Sequence, residues 1–273
     1  MDFMPYYVVM IAVAPIRAEP EHRSEQVTQA RLGEIVKFLE EEDGWLRVEL
    51  ESDGYVGYIS RGMVAGFSKE DAIEWRASEK FVFGERSSDI LEAPIKSAGL
   101  VRTAYMGVKL PIVSRKGVWV ELRLPDGKRG WTRGQQFHLQ DSGSRTGIVE
   151  TARLFLGSPY LWGGRSAGGF DCSGFVQTVF ELNGINLPRD TSQQIKAGEE
   201  IGTDINMAKE GDLLFFGDKD GRVSHTGIYL GNGKFIHSSG LVKVTALNSE
   251  EAADHDNYLN RFMHVRSVEE YLN

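Results

Sequence analysis

A stretch of about sixty residues occurs twice in the first half of this chain, and that repetition restricts the fold more than any other feature. Gly33-Glu34-Ile35-Val36 leads through Gly44-Trp45-Leu46-Arg47-Val48-Glu49-Leu50 to Asp53-Gly54-Tyr55-Val56-Gly57-Tyr58. Seventy-three or seventy-four residues later, Gly107-Val108-Lys109-Leu110 leads through Val118-Trp119-Val120-Glu121-Leu122 to Asp126-Gly127-Lys128-Arg129-Gly130-Trp131. Both copies alternate apolar and polar residues, the period of strands with one buried face, and both turn at Asp-Gly. Meandering antiparallel strands gathered into two small β-barrels follow from that pattern.

The repeat divides the chain. Residues 1–67 and 81–141 form the two β-domains. Residues 68–80, with Asp71, Glu74 and Arg76, read as a polar connector with room for a helical turn or two. Its Ser68-Lys69-Glu70-Asp71 start fits a capping box loosely. A second connector, Asp141-Ser142-Gly143-Ser144, is small and polar. From 145 to 273 the pattern becomes helices followed by strands, an α+β unit.

Composition narrows the partners. The net charge of −8 argues against nucleic acid or an anionic membrane as partner. No apolar run reaches the eighteen or so residues of a membrane span. Tyr6 to Ile16 is apolar around Ala12-Val13-Ala14 and could mimic a signal peptide, but no Lys or Arg precedes it. Val8, Val9, Ile11 and Val13 read as a first strand, so a cytoplasmic protein is expected. An exported one would follow if residues 1–18 belonged to a processed signal.

The chemistry concentrates in the α+β unit. Cys172 is the sole cysteine, and it stands in Gly169-Phe170-Asp171-Cys172-Ser173-Gly174 where a loop becomes a helix. Phe175, Val176, Val179, Phe180 and Leu182 follow at helical spacing until Asn183-Gly184 ends the run. Base rates favour an inert core thiol. The small and polar neighbours argue instead for close backbone approach at a helix N-terminus, where a thiol becomes reactive.

Two histidines complete the constellation. His225-Thr226-Gly227-Ile228-Tyr229-Leu230, Gly231-Asn232-Gly233 and Lys234-Phe235-Ile236-His237 read as a hairpin. A two-residue turn at Asn232-Gly233 puts the histidines on opposite faces. A three-residue loop over Gly231 to Gly233 pairs Leu230 with Lys234 and Gly227 with His237, leaving both histidines on one face. The second register is the one expected. An ordinary thiol is only a few per cent ionised at pH 7, and lowering its pKa by about two units takes ~2.7 kcal/mol. A helix N-terminus supplies about 0.3–1 kcal/mol, so a close imidazolium is expected to supply the rest, with His225 as base and His237 orienting it. His22, His138, His255 and His264 lack comparable neighbours and read as structural or surface. A zinc site on Cys172, His225 and His237 would lack any short-spaced ligand pair.

At these residues the chain resembles the NlpC-type family of bacterial cell-wall cysteine peptidases. The likeness covers about Arg145 to Asn273. It rests on Gly157-Ser158-Pro159-Tyr160-Leu161-Trp162-Gly163-Gly164, Phe170-Asp171-Cys172-Ser173-Gly174-Phe175-Val176, Leu187-Pro188-Arg189-Asp190-Thr191-Ser192-Gln193-Gln194, Gly211-Asp212-Leu213-Leu214-Phe215-Phe216 and His225-Thr226-Gly227-Ile228-Tyr229 with His237. The resemblance implies a papain-like core in which Cys172 is nucleophile, His225 base and His237 third member. The repeats resemble bacterial SH3-like domains. The implied fold is therefore an α+β papain-like cysteine peptidase domain preceded by two small all-β SH3-like barrels.

That order of domains resembles the γ-D-glutamyl-L-diamino acid endopeptidases, of dipeptidyl-peptidase VI type. The resemblance implies hydrolysis of the bond between γ-D-Glu and L-Lys or diaminopimelate in murein stem peptides with a free N-terminal L-Ala. It implies that Glu34 and Tyr55 receive that amine; the second repeat has Val108 and Lys128 at the matching positions. Asp171 would face the same amine, while Ser173, Tyr160 and Trp162 line the pocket. The Cys172 amide and the Ser173 hydroxyl are candidate oxyanion donors. Arg189 and Asp190 fit the motif, with Arg189 open to a surface position. No metal or organic cofactor is implied, the partner is the murein peptide, and a monomer is expected. A wall-peptide-binding protein, or an amidase or acyltransferase on the same fold, are the alternatives.

Overall fold

The structure, a computed structural model, describes residues 4–137, 143–247 and 258–272. It divides into two compact units, Met1–His138 and Leu139–Asn273. His138, His255, Asp141 and Ser142 lie outside the described residues.

In the first unit the sequence repeat reappears as topology. One antiparallel sheet runs, in spatial order, Gln26–Arg31, Val13–Arg17, Val56–Ser60, Trp45–Leu50, Ile35–Glu42, Tyr6–Val9 and Val64–Phe67. The other runs Leu100–Tyr105, Ser87–Leu91, Arg129–Thr132, Trp119–Arg123, Lys109–Lys116 and Lys80–Val82. Strand for strand the order is the same, with Val64–Phe67 the extra strand of the first copy. Alternation sends Leu46, Val48 and Leu50 inward, where they meet Val9, Ile16, Val36 and Ile59.

The segment between the repeats differs from a polar connector. It forms helix α1 (Lys69–Ala77), closed by a full capping box in which Ser68 Oγ accepts from the Asp71 N–H at 3.0 Å and Asp71 accepts from the Ser68 N–H at 3.2 Å. Trp75 on this helix is 2% exposed. Its indole N–H donates to the Gly33 carbonyl at 3.1 Å. Its ring packs among Leu32 and Ile35 of the first copy and Phe81, Leu110 and Leu122 of the second. Gly33 (φ +83°) leaves no room for a side chain, since a Cβ there would lie 2.8 Å from both Leu110 and the Lys109 carbonyl. The two copies thus share an apolar core, and removing an aromatic side chain from such a core costs about 3–5 kcal/mol. A single tryptophan among charged residues carries no helical period, which is why the sequence reads as polar there.

The second unit contains α2 (Arg145–Leu154), α3 (Cys172–Leu182) and the short α4 (Thr191–Gln194). A two-stranded ribbon pairs Arg165–Ser166 with Gly169–Phe170. The antiparallel sheet runs Glu199–Gly202, Phe262–Ser267, Leu213–Gly217, Val223–Tyr229, Lys234–Ser239 and Leu241–Ala246. Helix α3 is buried on nearly every side, which its run of Phe175, Val176, Val179 and Phe180 requires. It packs against α2 and against the strands Val223–Tyr229 and Lys234–Ser239. Phe155, Phe170 and Phe175 meet edge to face at its start. Among the described residues no helix is long and apolar enough to cross a membrane.

Candidate active site

The beginning of α3 is built by backbone proximity. Asp171 is the N-cap, its Oδ1 accepting from the Gly174 N–H at 2.7 Å, and Cys172 is the first helical residue. A Cβ on Gly174 would lie 2.1 Å from the Gly164 carbonyl oxygen, and one on Gly164 would lie 2.4 Å from the carbonyl oxygen of Gly169. The glycines around the thiol therefore let three backbone segments touch, as their sequence context suggests.

Asp171 and Ser173 are engaged differently from the sequence expectation. Arg189, 2% exposed, donates to Asp171 Oδ1 and Oδ2 at 3.1 and 2.5 Å and to the Ser173 hydroxyl at 2.8 Å. Asp171 Oδ2 also accepts from the Gly163 N–H at 2.9 Å, and the Ser173 hydroxyl donates to Oδ1 at 3.3 Å. Arg189 is thus a buried counter-ion and not a surface residue. The Asp171 carboxylate has a guanidinium as its counter-ion before any substrate amine arrives. The Ser173 hydroxyl is likewise spent on its neighbours and is not free to meet an oxyanion. Gln194, fully buried and the last residue of the Leu187–Gln194 motif, donates to the carbonyls of Ser173 and Pro188 at 3.0 and 2.9 Å and ties this corner to α3.

The hairpin adopts the three-residue register. Ile228 lies opposite Ile236 and Tyr229 opposite Phe235, and the Leu230 N–H donates to the Lys234 carbonyl at 2.8 Å. Gly231, Asn232 and Gly233 all take positive φ, which explains the Gly-Asn-Gly loop. A Cβ on Gly227 would stand 2.9 Å from His237 Cβ, so the glycine keeps that side open. His225 Nε2 meets His237 Nδ1 at 2.8 Å, and His237 Nε2 meets Thr245 Oγ1 at 2.8 Å. Thr245, on the neighbouring strand, has no sequence signal near either histidine. With both rings neutral and His225 serving as base, His237 Nε2–H donates to Thr245 and His225 Nε2–H donates to His237. That leaves the His225 Nδ1 lone pair to take a proton. The Cys172 thiol lies beside the backbone amide of Thr226, the residue after His225, and 3.8 Å from the Thr191 hydroxyl.

Burial governs the ionisation of all three groups. It pushes the Cys172 thiol up, and the Asp171 carboxylate adds to this. The Thr191 hydroxyl and the amides of Thr226 and Ser173 act in the opposite direction. Burial pushes both imidazoles down, helped at His225 by the charges of Arg261 and Lys243 and at His237 by His225 and Lys243. Phe216, Phe235 and Tyr258 wall the pair. Burial thus works against the expected pair of imidazolium and thiolate and favours the neutral forms of the thiol and both imidazoles. The arrangement suits general-base catalysis, in which the proton moves as the sulfur attacks.

The other expected residues fall into two groups. Tyr160, with its phenol pushed up to about 12 by burial and by the Cys172 and Asp171 charges, lines a cleft of about 330 Å³ that has His225 in its wall. Trp162, in the same loop, is 60% exposed. Glu34 and Tyr55 belong to the first unit. There Glu34 accepts from the Arg31 N–H at 2.9 Å and from Arg31 Nε and Nη2 at 2.9 and 2.6 Å, and Tyr55 packs against the first β-core. His22 is exposed and stands edge-on to Trp45, while His264 faces Phe215 across a strand pair. Among the described residues no three His, Cys, Asp or Glu side chains converge to hold a metal.

Known proteins share this arrangement of domains. Residues 157–264 match the NlpC/P60 family, and residues 16–62 match the bacterial dipeptidyl-peptidase SH3 domain. A gamma-D-glutamyl-L-lysine dipeptidyl-peptidase of Bacillus cereus is 30% identical over 77% of this chain, and the match spans 66% of that relative's length. Dipeptidyl-peptidase 6 of Lysinibacillus sphaericus is 31% identical over 85% of this chain and 87% of its own. The crystal structure of an NlpC/P60 family protein from Bacillus cereus has the same fold, with a TM-score of 0.81 at 22% identity, covering 98% of this chain and 100% of that one. With a matching family domain and a relative alike over most of both lengths, the chain belongs to the NlpC/P60 family.

Proposed function

We propose that this chain is a cysteine endopeptidase of murein peptides, cleaving between γ-D-Glu and the L-diamino acid of stem peptides that carry a free N-terminal L-Ala. Such an activity serves peptidoglycan turnover or recycling. The names of the relatives support the substrate class. One observation carries the chemistry: a row of hydrogen bonds from Thr245 through His237 to His225 ends next to the residue whose amide faces the only thiol.

In this reading His225 Nδ1 takes the Cys172 proton as the sulfur attacks the scissile carbonyl. The backbone amide of Cys172, at the positive end of α3, meets the developing oxyanion, with the helix dipole adding about 0.3–1 kcal/mol. The tetrahedral adduct collapses to a thioester, the C–N bond breaks, and the His225 proton passes to the leaving amine. Water then attacks the thioester, giving a proton to His225, and the proton returns to the thiolate as the acid departs. His237 holds the His225 ring in place throughout, and Tyr160 and Trp162 offer aromatic surface to the peptide. Glu34 and Tyr55 belong to the proposal as readers of the substrate amine, supported by their replacement with Val108 and Lys128 in the second repeat. A monomeric, cytoplasmic enzyme completes it, to be checked by sedimentation and by cell fractionation.

The test is hydrolysis of L-Ala-γ-D-Glu-L-Lys beside its N-acetylated form. Release of L-Lys from the free peptide alone is expected, with no release by Cys172→Ala. Equal turnover of both peptides removes the amine requirement, and turnover by Cys172→Ala removes the thioester route.

A further inference from the structure

His225 must hand its proton to the leaving nitrogen, so the leaving residue of the substrate lies on the His225 side of the thiol. On that side the structure has the cleft walled by Tyr160, Ser224, His225, Tyr258 and Arg261. Arg261 is the cationic element of that wall, and it is held in position. Its Nε donates to the Gly217 carbonyl at 2.9 Å, and its guanidinium stands 5.7 Å from the Tyr258 ring centre. Tyr258 is itself buried and packed against both catalytic histidines. Elsewhere in this unit Arg145, Arg165 and Arg189 are each paired with a carboxylate. Among the described residues no acidic side chain pairs with Arg261.

We propose that Arg261 binds a carboxylate on the leaving side of the scissile bond and so selects peptides whose diamino acid carries that group. The ligand is a carboxylate from one of two sources: the free C-terminal α-carboxylate of L-Lys, or the side-chain carboxylate of diaminopimelate. The guanidinium suits it, offering two parallel donors to a planar anion. The position also links binding to chemistry. The Arg261 charge disfavours an imidazolium at His225, and a carboxylate laid on Arg261 offsets that charge, so a seated substrate helps His225 to accept the thiol proton. The inference rests on the endopeptidase reading.

The test compares wild type, Arg261→Gln and Arg261→Lys on three peptides. These are L-Ala-γ-D-Glu-L-Lys, its C-terminal amide, and the diaminopimelate tripeptide with its α-carboxylate amidated. If the α-carboxylate is read, wild type prefers the lysine acid to its amide, and Arg261→Gln loses roughly 10–100-fold in kcat/KM on the acid alone. If the side-chain carboxylate is read, that loss falls on the diaminopimelate peptide instead. Arg261→Lys recovers part of the loss in either case. The same kcat/KM for wild type and Arg261→Gln on every peptide overturns the proposal. So does an equal loss on all three peptides, which marks a structural role. Absence of cleavage of any peptide by wild type takes the endopeptidase reading down as well.

Discussion

Two polar corners flank Cys172, one a buried ion pair and the other a file of hydrogen-bonded groups that reaches the wall of a cleft. At the start of α3, Asp171 and Arg189 are buried as full ions, locked by backbone amides and the Ser173 hydroxyl. Across the strand, the half-buried His225, the buried His237 and the half-buried Thr245 stand in a single file that burial biases towards neutrality. The ionic corner is locked because, buried as both are, neither partner tolerates the loss of the other. The histidine corner differs in one respect: with His225 serving as base its Nδ1 keeps an unshared electron pair, so a proton can enter when charge develops on sulfur. The difference separates two tasks, with fixed charge holding the helix start in place and suppressed charge keeping a base available.

Breaking the chemistry between the two corners gives the largest effect. Cys172→Ala lowers turnover of L-Ala-γ-D-Glu-L-Lys by roughly ten-thousand-fold or more, while the melting temperature stays close to that of wild type. The ionic corner comes next. Arg189→Met strands a buried carboxylate and costs about 3–5 kcal/mol in denaturant unfolding. Adding Asp171→Asn restores most of that stability, because asparagine still caps α3 and needs no counter-ion.

The histidine corner is tested by acid. An unfolded His225 takes a proton near pH 6.5, whereas the folded one resists until about 3. Between those values the unfolded chain binds the extra proton, so the stability tied to this residue is full above about pH 6.5 and is lost as the pH falls. The loss is of order 3 kcal/mol by about pH 4, and His225→Gln flattens that slope in pH-dependent unfolding. Because burial raises the Cys172 thiol, alkylation by iodoacetamide accelerates only at alkaline pH. A plateau reached near pH 6–7 would instead restore the thiolate–imidazolium pair. The smallest effect belongs to the end of the file. Thr245→Val lowers kcat about tenfold with KM unchanged, since His237 loses its acceptor, and Thr245→Ser recovers the rate.

These corners were unequally visible in the sequence. Gly231-Asn232-Gly233 set the hairpin register, and that register put His225 and His237 on one face. The glycines near Cys172 signalled close backbone contact, and the Gly174 and Gly164 approaches supply it. Thr245 gives no signal, and Gln194 is visible only as part of a motif, since a threonine or glutamine acquires its role from what folds against it. Asp171 looks like an open anion in the sequence because its partner, Arg189, sits eighteen positions away on a separate loop. Trp75 hides in a polar connector for the same reason, as its apolar surroundings come from strands on both sides of α1.

The sequence by itself determined the repeated strand order, the helix that begins at Cys172 and the hairpin that aligns the histidines. Each of these is decided by residues a few positions apart, through alternation, capping and turn length. Tertiary structure alone decided that Asp171 is paired with Arg189, that Trp75 joins two β-sheets, and that burial shifts the thiol up and both imidazoles down. Those outcomes depend on water being excluded by side chains remote in sequence, and ionisation answers to the surrounding dielectric and to neighbouring charges, which no local pattern records.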